Sequence, residues 1–153
     1  MVKPERALIK NIVPGSFEVL ASIVHVFKSN FLFKVCPVCG IAIEQSKCSE
    51  HGDVEPNPAL VVSCIVDDGS GDMRAVFFRE TAERLLEAEA EEIADLDEEK
   101  RYELIAEKLM GRELILQGRV RKNKIFDRLE LIVNEFKDID VLEESKRLAD
   151  EIE

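Results

Sequence analysis

The sequence contains no apolar run approaching the roughly 20 residues that cross a bilayer, which argues against a transmembrane helix. Its opening residues, MVKPERALIK, lack the apolar core of a secretory signal. An intracellular location is therefore expected. The four cysteines should then be reduced, as metal ligands or buried thiols and not as disulfides. Internal repeats and low-complexity segments are absent. Histidine is scarce, with two in the chain, and His25 pairs with no nucleophile in a way that suggests catalysis. His25 reads instead as a satisfied histidine on a buried strand, and no enzymatic activity is expected.

Net positive charge is also missing. The formal charge is −11, which on its face disfavours a nucleic-acid partner. Its distribution changes that reading. Glu80–Glu107 holds 12 acids and 3 bases, and Val141–Glu153 holds 5 acids and 2 bases. These two segments together carry −12 and leave +1 for the rest of the chain. Arg119–Arg128 alone has five bases against one acid. The acidity belongs to two helical segments, so an opposing surface is free to be basic.

What is present fits one domain. A chain of 153 residues, 46% hydrophobic and 35% charged, is long enough for a single well-buried core. Phe17–Phe27 (FEVLASIVHVF) reads as a central strand, and Ala59–Val66 (ALVVSCIV) as a second. Asp67–Gly71 is a strong hairpin turn into a third strand, Met73–Phe78. Thr81 reads as the N-cap of a helix carrying Leu85, Leu86, Ala90 and Ile93, and Asp97 opens a second helical stretch stopped by Gly111. Glu113–Arg121 (ELILQGRVR) alternates with period two, Leu114, Leu116 and Val120 on one face. A basic turn at Lys122–Lys124 leads to a fifth strand, about Arg128–Phe136, and Val141–Glu153 is expected to be helical. Five strands with a helix between the third and fourth is the order of an OB-fold barrel. The chain is thus expected to be mainly β: an OB unit over residues 1–140 with a zinc-ribbon-like insertion at 28–57, then a C-terminal helix over 141–153.

The insertion carries the sharpest signal. Cys36-Pro-Val-Cys39-Gly is followed by Cys48-Ser-Glu-His51-Gly. A two-residue spacer lets two side chains converge on one ion from a tight turn, and Gly40 and Gly52 permit the positive φ that such knuckles need. Three thiolates and one imidazole complete a tetrahedron, so the predicted cofactor is one structural Zn²⁺. Cys64, flanked by apolar residues in mid-strand, reads as a core residue.

Three segments combine bases with aromatic rings, the chemistry that holds single-stranded nucleic acid. The first supplies Phe27, Lys28, Phe31, Phe33 and Lys34; the second Phe78 and Arg79; the third Arg119, Arg121, Lys122, Lys124 and Phe126. In an OB barrel the loops that carry the first and third flank the binding face. Alternatives stand beside each. One of Phe77 and Phe78 must face the core, Phe31 and Phe33 could pack under the zinc knuckle, and the basic hairpin could be simply a solvated turn.

FEVLASIVHVFKSN running into CPVCG and CSEHG, AVFFRETAERLL, and LELIVNEFKDIDVLEESKRLADEI together resemble a known family. It is the C-terminal DNA-binding domain of the large subunit of replication protein A, in the form found in archaeal single-strand-binding proteins. The resemblance implies binding of single-stranded DNA without strong sequence preference, in replication, recombination and repair, and a location with the chromosomal DNA. It places the third-strand aromatic on Phe78. The family's hairpin aromatic has no residue at the same place, and Phe126 is the nearest substitute. It further implies a heterotrimer in which Val141, Leu142, Leu148, Ala149 and Ile152 supply the seam of a helical bundle with two other subunits. The rival expectation is an assembly module with little DNA affinity of its own.

Overall fold

The computed structural model describes residues 5–139 and 148–149. Five long strands form its body: β2 (Gly15–Val26), β6 (Asn57–Asp67), β7 (Asp72–Phe78), β8 (Glu113–Asn123) and β9 (Arg128–Asp138). Short strands accompany them: β1 (Glu5–Arg6), β3 (Leu32–Val35), and a small hairpin of β4 (Lys47–Cys48) and β5 (Gly52–Asp53). Helices α1 (Arg79–Leu86), α2 (Ala90–Ala94) and α3 (Glu98–Leu109) lie between β7 and β8. Among the described residues no helix is long and apolar enough to cross a membrane.

The strand pairings form a ring, β2–β8–β9–β7–β6 and back to β2. β7 and β9 run parallel and the other four contacts are antiparallel. β2 can serve two neighbours because it is long and bulged. Its first part pairs with β8 and its last part with β6, with a register shift between Ile23 and His25. A bulge turns a strand and raises its twist, which is what a barrel corner needs. The shift also breaks the alternation, so Val24 and His25 are both exposed. His25 is therefore not the enclosed histidine expected from the sequence.

A second register shift lies at Gln117/Gly118 in β8. A Cβ on Gly118 would fall 2.1 Å from the Ile132 carbonyl oxygen, so β9 passes where a side chain would be. Inward residues fill the ring, among them Val19 and Ile23 of β2, Leu60 and Cys64 of β6, Phe77 of β7, Leu116 of β8 and Leu131 of β9. Cys64 is fully buried, as its apolar neighbours suggested, and burial pushes its thiol up to about 12. The helices add Leu85, Leu86, Ile93, Ile105 and Leu109 to the same core.

Several boundaries differ from the sequence expectation. α1 begins at Arg79 directly from the end of β7 and has no side-chain cap, so Thr81 lies inside the first turn and caps nothing. Asp97 does cap α3, accepting from the Lys100 amide at 2.9 Å. The insertion is more regular than its Pro and Gly content indicated, since β3 pairs with the start of β6. Four residues between loops are too few to show a period in sequence. Leu148 and Ala149 are helical and exposed. The other residues of the expected seam, Val141, Leu142 and Ile152, lie outside the described residues.

Candidate metal centre and binding cleft

The metal-ligand spacing closes in space. Cys36 follows β3, Cys39 ends the next turn, and the β4–β5 hairpin delivers Cys48 and His51. The four ligand atoms lie within 4.8 Å of one another. Cys39 Sγ is 3.7 Å from Cys48 Sγ, and His51 Nδ1 is 3.5 Å from Cys48 Sγ and 3.8 Å from Cys36 Sγ. Tetrahedral zinc, with bonds of about 2.3 Å to sulfur and about 2.0 Å to nitrogen, needs edges of about 3.8 Å between sulfurs and about 3.6 Å from sulfur to nitrogen. The cluster can hold a metal ion, and these separations are compatible with zinc.

Local backbone geometry explains the convergence. Gly40 and Gly52 adopt φ of +76° and +68°, the left-handed values predicted for them. The Gly40 amide donates to the Cys36 carbonyl at 2.8 Å and the Cys36 amide to the Ile41 carbonyl at 2.9 Å, closing the first knuckle. Burial raises the Cys36 thiol pKa, but the Cys39 and Val38 amides and the neighbouring thiols outweigh it and bring Cys36 down to about 7. That favours the thiolate a metal requires.

Arg79 latches the knuckle to the barrel. Its guanidinium donates to the Gly40 carbonyl at 2.7 Å and lies over the Phe33 ring at 5.3 Å. Phe33 meets Phe78 edge to face, with centroids 6.4 Å apart. Phe78 is exposed while Phe77 is fully buried, which resolves the choice between them. Lys34 follows Phe33 in β3 and is exposed.

A second group lines a cleft of about 860 Å³ bounded by the end of β2, the outer face of β6–β7 and the β8–β9 hairpin. Phe27 and Lys28 form one wall and Phe126 the other, as the sequence suggested. Between them stands Arg74, a residue the sequence reading passed over. Its guanidinium carbon lies 4.8 Å from the Phe27 ring centre and 5.4 Å from that of Phe126. The signal for Arg74 was available: Met73, Ala75 and Phe77 point inward, so the alternation of β7 sends Arg74 outward. Val76, which is 5% exposed, and the exposed Phe78 follow it on that side of the strand. At about 3.3 Å per residue, Arg74 and Phe78 lie about 13 Å apart. One strand thus joins the cleft to the knuckle group.

Not every expected contact reaches this face. Phe31 is 1% exposed and stacks on Tyr102 with centroids 6.5 Å apart, so it is a core residue. Lys28 lines the cleft and also lies 5.7 Å over the same Tyr102 ring. In the basic hairpin, Arg119 and Lys124 are exposed. Arg121 donates to Glu130 at 3.0 Å, and Lys122 pairs with Asp127 at 2.8 Å.

With this geometry in place, the comparisons with known proteins are decisive for the family. A model of the replication factor-A C-terminal domain matches residues 16–148. The chain belongs to that family. It is similar in structure to a chain of a replication protein A heterotrimer bound to ssDNA, with a TM-score of 0.77 and 20% identity over 97% of this chain. It spans only 40% of that relative's length. It is also similar to yeast RPA bound to ssDNA, with a TM-score of 0.74 and 20% identity over 99% of this chain and 98% of the other. At such identity the likeness shows the fold, and the OB architecture expected from the strand order is the one observed. A search of curated protein sequences finds no match.

Proposed function

We propose that this replication factor-A C-terminal domain binds single-stranded DNA, without strong sequence preference, along the outer face of β7. The observation that carries the reading is the track from Phe27, Arg74 and Phe126 in the cleft to Phe33, Phe78 and Arg79 at the knuckle. Rings at both ends offer faces on which bases stack, and cations beside them meet phosphates. Lys28, Lys34, Arg119 and Lys124 extend the positive rim. Both solved relatives carry ssDNA, which supports the assignment.

The metal in this reading is one structural Zn²⁺ held by Cys36, Cys39, Cys48 and His51. Four protein ligands fill a tetrahedron, so no position is left for a catalytic water. Zinc fixes residues 28–57 and thereby the position of Phe33 and Lys34 beside the track. Residues 1–140 act as the OB unit, and the helix over 141–153 joins two other subunits, its seam including the exposed Leu148. The domain works on chromosomal DNA as a binding module and not as an enzyme.

The test is a fluorescence-anisotropy titration of the chain with oligo-dT at two salt concentrations, with zinc content verified. Submicromolar, salt-dependent binding is expected. Absence of binding at low salt would refute it and favour the rival reading, an assembly module, which the exposed Leu148 and the total charge of −11 would then explain. Deleting residues 141–153 should abolish assembly and spare oligo-dT binding. Loss of DNA binding with assembly intact would contradict that division of labour.

A further inference from the structure

The five bases of Arg119–Arg128 are the most conspicuous phosphate-binding candidates in the sequence, yet part of that charge is already committed within the protein. Arg121 is the clearest case. Its partner Glu130 is 4% exposed and accepts Arg121 Nε at 3.0 Å and Asn123 Nδ2 at 3.1 Å. The Arg121 side chain is itself 59% exposed, but its removal would leave a nearly buried carboxylate with Asn123 as its remaining partner, which costs more than breaking a pair exposed on both sides. The Lys122–Asp127 pair, exposed on both sides, holds its lysine only weakly.

Arg74 is in the opposite situation. It is half-buried in the middle of the sheet, and among the described residues no carboxylate lies within ion-pairing distance of it. Its register partner across the parallel pairing is Glu130, whose oxygens go to Arg121 and Asn123 instead. Arg74 Nε is buried with no hydrogen-bond partner. The rings of Phe27 and Phe126 offset part of this cost through cation–π attraction and restrict where the guanidinium can swing. What remains is a guanidinium held between two rings and, among the described residues, in no ion pair, on a cleft of about 860 Å³ whose other charged lining residues are Lys28, Arg128, Asp72 and the engaged Glu130.

We infer that Arg74 is a phosphate-binding cation of the cleft, taking a phosphodiester of the bound strand, and that Arg121 serves as the internal counter-ion of Glu130. A phosphate supplies both the missing negative charge and paired acceptors that suit a guanidinium fork. The inference rests on the proposal that this face binds single-stranded DNA and assigns the chemistry within it.

The test measures oligo-dT affinity of the full chain against salt for the unaltered protein and for Arg74→Met, Arg74→Lys and Arg121→Met, with thermal unfolding recorded for each. Arg74→Met should weaken binding about tenfold or more, the size expected for a lost charge-assisted contact. It should also flatten the salt dependence by about 0.7, the increment per neutralised phosphate on a single strand. Arg74→Lys should keep the salt slope and lose part of the affinity. Arg121→Met should lower the unfolding temperature and leave the slope unchanged. A slope unchanged in Arg74→Met, or one that falls only in Arg121→Met, overturns the inference while leaving the DNA-binding proposal intact. If Arg74→Met does not fold, an Arg74→Lys variant that keeps both slope and affinity overturns it, because a guanidinium fork on phosphate should lose affinity when replaced by an ammonium. If the unaltered protein does not bind, the underlying proposal fails and this one with it.

Discussion

The metal centre and the cleft are built on opposite principles. All four metal ligands come from 16 consecutive residues, and their convergence depends on one tight turn and the short β4–β5 hairpin. The cleft draws Phe27 from the end of β2, Arg74 from β7 and Phe126 from the β8–β9 turn, segments about 50 residues apart in sequence. Chelation is a local constraint and leaves a spacing in the sequence. A binding face on a barrel is a tertiary one, and only the ring of strands brings its parts together. The two regions should accordingly fail in different ways when perturbed.

The largest effect is expected from removing the metal. Cys48→Ser, or chelation, should loosen residues 28–57, read as lost amide protection there, and should weaken oligo-dT binding with it. Unchanged protection after verified metal loss would show that the knuckle folds without its ion. Next come the two aromatics that the sequence treated alike. Phe31→Ala should cost about 3–5 kcal/mol of stability, because the ring is fully buried, and denaturant unfolding measures it. Phe126→Ala should leave unfolding nearly unchanged, because the ring is 57% exposed, and should cost about 1–3 kcal/mol of oligo-dT binding. Equal stability losses in the two would erase the distinction between core and cleft. The smallest effect belongs to the link between the regions. Arg79→Ala removes the bond to Gly40, and should cost under about 1.5 kcal/mol of stability while raising exchange at the Gly40 amide.

Much of this was legible in the sequence, for identifiable reasons. The ligand set is readable because two knuckles repeat one spacing and each is followed by glycine. The strand order is readable because FEVLASIVHVF, ALVVSCIV and ELILQGRVR have strong patterns bounded by turns. Phe31 was not legible. Its amide donates to Ser29 Oγ at 3.1 Å and its φ is 64°, a backbone choice that turns its ring onto Tyr102, and residue type alone does not report it. Arg74 was obscured because its significance depends on two rings from distant segments and on Glu130 being satisfied elsewhere. Within the basic hairpin the limit is similar. Counting charges there could not show that Arg121 is engaged by a nearly buried acid.

In the proposed binding mode, one track along β7 unites the cleft and the knuckle in a single DNA-binding face. Amide and side-chain NMR shifts recorded while oligo-dT is added to the zinc-loaded chain test it most directly. Arg74 and Phe126 should shift together with Phe33 and Phe78, on one titration curve. Shifts confined to either group, or spread instead over the acidic helices α1–α3, would contradict it.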